Sequence, residues 1–175
     1  MPRTQTPVST LDAAWVEDFF TRWTDAWNSH DPDRLLALMT EDISYDDSAW
    51  PRTMHGHADV REFLRFAWTA FPDMRFEVDE GPFLDPARPV ATSTWRGFAT
   101  HAGPIEPPGV APTGKAIEFA GFDLHEYRDE KVARLVICFD MAASMRDLGV
   151  LPPEGSRAER LTAKLANLQT KLRRR

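Results

Sequence analysis

The sequence predicts an α+β domain, and three observations carry that expectation. Apolar residues recur at helical spacing over roughly the first seventy positions, then at a period of two from about position 75 to 140. The breaks between these segments fall at clusters of Pro, Gly, Asp and Asn. Helices that precede a run of strands pack together on one face of an antiparallel sheet.

Residues 11–29 read as an amphipathic helix, because Trp15, Phe19, Trp23 and then Ala26 or Trp27 follow at spacings of four and three. A short Asn28-Ser29-His30 turn leads into Asp31-Pro32, an N-cap acid and a first-turn proline, which start a second helix over residues 31–39. The two form a helical hairpin. Residues 43–47 read as a short strand and 48–57 as an irregular loop. Asp59 opens a third helix carrying Val60, Phe63, Phe66, Ala67, Ala70 and Phe71, and Pro72-Asp73 ends it.

Residues 75–80, 90–101, 116–127 and 132–140 then alternate as four strands, the last two joined by a tight turn at Arg128-Asp129-Glu130-Lys131. Residues 103–115 hold Pro104, Pro107, Pro108 and Pro112, which cannot pair inside a sheet; the segment is expected to be a lid or rim. Ser156 and Glu159 form a capping box ahead of Leu161, Leu165, Leu168 and Leu172, spaced four, three, four. The expected organisation is one domain over residues 1–155 and a basic amphipathic helix over 156–175.

With 175 residues, 42% hydrophobic and 27% charged, the chain matches one soluble domain with a real core. No window approaches the ~18 consecutive apolar residues of a membrane span. The N-terminus lacks the pattern of a secretory signal, and the single cysteine, Cys138, has no internal partner, so a reducing, cytoplasmic setting is expected. Residues 156–175 carry seven basic side chains against Glu159, a net of +6, which leaves -12 on the rest of a chain whose total is -6. A body so acidic argues against nucleic-acid binding. The leucine stripe is expected to dock on a partner subunit or across a pocket mouth.

The chemistry is expected where Arg134-Leu-Val-Ile-Cys-Phe-Asp140 ends in a carboxylate after an apolar run, a setting that raises an acid's pKa. With Asp129-Glu130 as the turn, Tyr127 faces Val132, His125 faces Arg134, Asp123 faces Val136 and Phe119 faces Asp140. Alternation then puts Asp123, His125, Val136, Cys138 and Asp140 on one face. The competing use of Asp140 is to cap a helix starting at Met141. His55-Gly-His57 invites a metal, with His101 and His125 as further ligands, but the set is incomplete; no metal and no cofactor are expected. Trp27, Tyr45, Trp50 and Trp95 are the candidates to stack on a flat aromatic ligand.

Residues 28–43, His55 through Arg61 with Phe71-Pro72-Asp73-Met74, and the strands from Trp95 through Asp140 to Pro152 resemble, in order, the SnoaL-like polyketide cyclases of the nuclear transport factor 2 superfamily. The pattern departs at Glu130, where a glycine is usual, and at Ala99. The resemblance implies a cone-shaped roll in which a strongly bent antiparallel sheet and three helices enclose a pocket, often in a homodimer or higher homo-oligomer. It implies cofactor-independent aldol ring closure on a polyketide-like ligand, with Asp140 as acid/base and His125 beside it; Asp123, which alternation puts on their face, is expected in the substrate site. A non-catalytic small-molecule binder or assembly module is a second expectation, and a related isomerase or lyase step in the same pocket a third.

Overall fold

A computed structural model describes residues 11–173. Helix α1 (Ala13–Asn28) starts where the Asp12 carboxylate accepts the Trp15 N–H at 2.8 Å. Its buried residues, Val16, Phe19, Phe20, Trp23, Ala26 and Trp27, lie on one stripe, and each such side chain contributes about 1.5–3 kcal/mol by leaving water. Helix α2 (Pro32–Leu36) is capped by Asp31 and opens on Pro32, as the sequence indicates.

Strand β1 (Met39–Asp47) pairs with the two-residue β2 (Met54–His55). Helix α3 (Gly56–Ala70) begins three residues earlier than the acid at position 59 suggests. Asp59 sits inside its first turn, accepting the His55 N–H at 3.1 Å and the Arg52 guanidinium at 2.6 Å. Strands β3 (Arg75–Leu84), β4 (Val90–Thr100), β5 (Ala116–Arg128) and β6 (Lys131–Phe139) complete one six-stranded sheet in the order β2-β1-β6-β5-β4-β3. All neighbours are antiparallel except β1 and β6, which run parallel. Helix α4 (Met141–Asp147) follows the last strand, and α5 (Arg157–Arg173) buries none of its side chains, with Leu161, Leu165, Leu168 and Leu172 each more than half exposed. No helix among the described residues is long and apolar enough to cross a membrane.

The β5–β6 hairpin decides which side chains point inward. Asp129 and Glu130 both take positive φ, 52° and 60°, the primed turn whose twist matches paired strands. Arg128 faces Lys131 and Tyr127 faces Val132, as the two-residue turn requires. The register then slips by one residue: Glu126 faces Arg134, so Ala133 is an extra residue on β6. Beyond that bulge His125 faces Leu135, Asp123 faces Ile137 and Gly121 faces Phe139. The pairing expected from the turn alone is therefore corrected by one residue, and a one-residue slip turns a strand over. Leu135, Ile137 and Phe139 share the inner face with Asp123 and His125, while Val136, Cys138 and Asp140 do not.

Candidate functional site

Two transverse rows of side chains cross the inner face of the sheet. In the deeper row Tyr45 of β1 faces Leu135 of β6, which faces His125 of β5, which faces Ala91 of β4; all four are fully buried. One step along the strands, Asp47 faces Ile137, Ile137 faces Asp123 and Asp123 faces Ser93. That second row forms part of the wall of a cavity of about 650 Å³. Aromatic rings make most of the remaining wall: Trp27 from α1, Trp50 from the β1–β2 loop, Phe76, Trp95, Phe119 and Phe139 from the sheet. The proline-rich segment contributes Ile105, Glu106 and Pro107 to the rim, and α4 contributes Met141 and Met145. This is the rim position expected for that segment.

Asp123 is the best-held carboxylate of the cavity. Its Oδ1 accepts the Ser93 N–H at 3.1 Å and the Ser93 hydroxyl at 2.7 Å, and its Oδ2 is 2.9 Å from His125 Nε2. Three donors fill three of its four lone-pair sites and leave one on Oδ2. His125 itself does not reach the cavity. Its ring stacks on Phe20 with centroids 4.7 Å apart and meets Trp23 edge-on, and its Nδ1 lies 3.2 Å from the Tyr127 hydroxyl. Burial pushes the Tyr127 phenol up, so it remains a neutral O–H able to donate to Nδ1, while Nε2 of the same ring faces Asp123. Ser93, Asp123, His125 and Tyr127 thus form one buried chain with its carboxylate end at the ligand space.

Asp47 is the second acid of the row, and the sequence reading did not single it out. Its Oδ2 accepts the Tyr45 hydroxyl at 2.7 Å and its Oδ1 the Ala49 N–H at 2.8 Å. Burial outweighs both bonds and raises its pKa to about 6. The alternation Ile43, Tyr45, Asp47 along a half-buried strand was the available signal, since the first two are apolar or aromatic and the acid shares their face. Among the described residues the cavity wall holds Asp47, Glu106 and Asp123 but no Lys, Arg or His.

The expected substrate residues separate. Asp123, Trp27, Trp50 and Trp95 line the cavity, whereas Tyr45 lies fully buried behind it and touches the site through Asp47. The Trp50 indole N–H is buried without a protein acceptor. Asp140 needs a correction. Its carboxylate accepts the Ala143 N–H at 2.8 Å as the N-cap of α4, and the residue is exposed and outside the cavity wall. The Ala133 bulge is the physical reason, because beyond it the even-numbered positions, Arg134, Val136 and Cys138, point away from His125 and Asp123 and Asp140 follows them.

A family profile described as the SnoaL-like domain matches residues 20–135, about two thirds of the chain. The protein belongs to the SnoaL-like family. The matched span contains Asp47, Ser93, Asp123, His125 and Tyr127 and ends before Asp140. Comparison with curated proteins gives no match. Solved structures of the same fold include AclR from Streptomyces galilaeus, described as a proposed hydroxylase, with 22% identity over 94% of this chain and 99% of that one at a TM-score of 0.69. A proposed SnoaL-like polyketide cyclase from Jannaschia sp. CCS1 has 17% identity over 86% and 100% of the two chains, also at 0.69. IdmH from Streptomyces antibioticus, described as a proposed polyketide cyclase, has 21% identity over 76% and 97% at 0.61. At these identities the likeness establishes a common SnoaL-like fold.

Proposed function

We propose that this SnoaL-like protein is a cofactor-independent acid/base enzyme acting on a neutral, polyketide-like or aromatic carbonyl compound held in the cavity. The observation that carries the reading is the Asp123 carboxylate, which faces an aromatic-walled space while His125 and Ser93 fix it from behind. A base must sit within hydrogen-bond reach of the proton it removes, and the free lone pair on Oδ2 is directed by the three bonds that occupy the rest of the group. Asp123 takes a proton from the carbon α to a ligand carbonyl, and the C–H electron pair becomes the enolate. Attack of that carbon on a second carbonyl of the same molecule forms the ring bond and leaves an alkoxide, to which the proton returns. His125 acts through Asp123 and is a positioning residue. A wall with three carboxyl groups and no Lys, Arg or His favours ligands without a carboxylate of their own.

The test needs no knowledge of the natural substrate. In D2O, NMR follows exchange of the methyl protons of 2-acetylnaphthalene, a flat ketone small enough for the cavity. The protein should accelerate exchange, and Asp123→Asn should remove about 10²–10⁴-fold of that rate. A wild-type protein that binds the ketone, seen by tryptophan quenching, yet exchanges its protons only at the buffer rate refutes the enzyme reading. A non-catalytic binder is the second reading, favoured by the three protein donors that already satisfy Asp123.

Self-association belongs to the same proposal. The four exposed leucines of α5 repeat at coiled-coil spacing on a segment of net +6, against a body of -12, which suits contact with a second copy. Removing residues 156–175 should lower the mass measured by light scattering; an unchanged mass ends this part of the proposal.

A further inference from the structure

We infer that Asp47 is a second catalytic group of this cavity, the acid that protonates the ligand carbonyl oxygen while Asp123 removes the α-proton. The inference rests on the acid/base reading above and divides its two proton transfers between two residues. Asp47 and Asp123 flank Ile137 in one transverse row, so their Cα atoms are two strand spacings, about 9–10 Å, apart. A ligand lying across Ile137 can touch both. Separations of this order leave room for a carbonyl and its α-carbon between two hydrogen-bonding carboxyl groups.

The surroundings of the two acids differ in the way such a division requires. Asp123 receives three donors, which fix its orientation and leave one Oδ2 lone pair. Asp47 receives two, the Tyr45 hydroxyl and the Ala49 N–H, and no cation compensates its burial. On its own strand Tyr45 and Asp46 are the nearest ionisable groups, and Asp46 is engaged by the Thr53 hydroxyl. From β5 it is faced by Asp123, from the rim by Glu106, and across the crevice beside β6 by Cys138 and Arg52. Arg52 is committed to Asp59 at 2.6 Å and to Glu62 at 4.0 Å. The α3 residues at the wall, Phe63 and Phe66, and those of α4, Met141, Ser144 and Met145, bring no charge. The resulting pKa of about 6 leaves a useful protonated fraction near neutral pH.

The step balances without any further reactant. Asp123 accepts the α-proton, the C–H pair becomes the C=C bond, the carbonyl π pair moves to oxygen, and that oxygen takes the Asp47 proton to give a neutral enol. In D2O the reverse step places a deuteron from Asp123 on carbon and returns the oxygen-bound proton to Asp47. A neutral enol forms in an acidic cavity that holds no cation to stabilise an enolate.

The pH dependence of kcat/KM for 2-acetylnaphthalene exchange tests this. Because the acid must be protonated, wild-type exchange should fall as pH rises past about 6. Asp47→Asn should lower the rate at pH 5.5 at least tenfold and remove that descending limb. Tyr45→Phe deletes a donor to the charged form of Asp47, so it should move the limb to higher pH. Circular dichroism of each variant verifies the fold. If Asp47→Asn keeps the wild-type rate and limb while Asp123→Asn loses exchange, the role of Asp47 is refuted and the enzyme reading stands. If the wild-type protein catalyses no exchange, both fall together.

Discussion

Ser93 and Asp123 face each other across β4 and β5, and both donors of the serine, its N–H at 3.1 Å and its hydroxyl at 2.7 Å, end on the same carboxylate oxygen. Ser93 is 1% exposed and Asp123 4%, so neither bond is replaced by water when broken. Ser93→Ala removes the hydroxyl and keeps the N–H. It should cost about 1–3 kcal/mol in urea unfolding, the range for a lost bond to a buried charged group. The ketone exchange rate should fall in kcat more than in KM, because the base is less well held while the aromatic wall is unchanged. An unfolding free energy equal to wild type would mean that the serine bond is absent in solution.

Asp47 makes stability depend on pH in the sense opposite to most native carboxylates. Its folded pKa of about 6 lies above the ordinary 3.8, so between these values the folded state holds more protons than the unfolded state. Stability from this group is therefore present below about pH 4 and is lost as pH rises through about 6, by an amount on the order of 3 kcal/mol. Asp59 runs the other way: the Arg52 bond and the His55 N–H hold it at about 2, so its contribution is lost only as pH falls toward 2. Across pH 4–7 the Asp47 effect should stand out as a falling melting midpoint. Asp47→Asn should flatten that slope and be the more stable protein at pH 7. A wild-type midpoint that rises steadily from pH 4 to 7, with the same slope in Asp47→Asn, would contradict the buried setting of this group.

Asp140 should behave as a helix cap. Its carboxylate holds the Ala143 N–H at the start of α4, and replacing an N-cap acid by alanine costs about 0.5–2 kcal/mol. Asp140→Ala should lose roughly 1 kcal/mol of stability, whereas Asp140→Asn, an equally good cap, should lose almost none. Neither should change kcat for ketone exchange. A hundredfold loss of exchange in the folded Asp140→Asn protein would return the acid to the cavity.

The path to that correction separates what the sequence carries from what it does not. Helical periodicity in α1, the Asp31-Pro32 start of α2 and the Asp129-Glu130 turn are local signals, and each appears where local chemistry puts it. The bulge at Ala133 has only a faint signal, the pairing of apolar Val132 with charged Arg134 on one face that strict alternation would require. One unpaired residue then exchanges Asp140, Cys138 and Val136 for Phe139, Ile137 and Leu135 on the inner face. The parallel pairing of β1 with β6 is equally non-local, and it is what brings Asp47 into one row with Asp123. Asp123 and His125 were placed on a common face because both lie on β5, on the same side of every slip. Residues two apart on one strand are legible in a sequence; residues joined across three strands are not.

Gly121, beneath the Trp95 ring, should tolerate a side chain poorly. A Cβ there would stand 2.5 Å from the Cys138 carbonyl oxygen and 2.6 Å from the Trp95 ring. The first contact is with backbone of the neighbouring strand and yields only if β5 and β6 move apart, next to the Gly121–Phe139 pair. At Gly97 the added Cβ would meet only the Phe119 ring tip, at 2.6 Å, which can swing into the cavity. Gly121→Ala should therefore lose about 1–3 kcal/mol, the cost of overpacking a close-packed site, and at least about 1 kcal/mol more than Gly97→Ala. Because Trp95 forms part of the ligand wall, Gly121→Ala should also weaken 2-acetylnaphthalene binding and shift the tryptophan emission. Equal stabilities for the two variants would mean that the β5–β6 pairing near Phe139 is loose enough to absorb a methyl group, and the wall that positions the ligand over Asp123 would then be a flexible one.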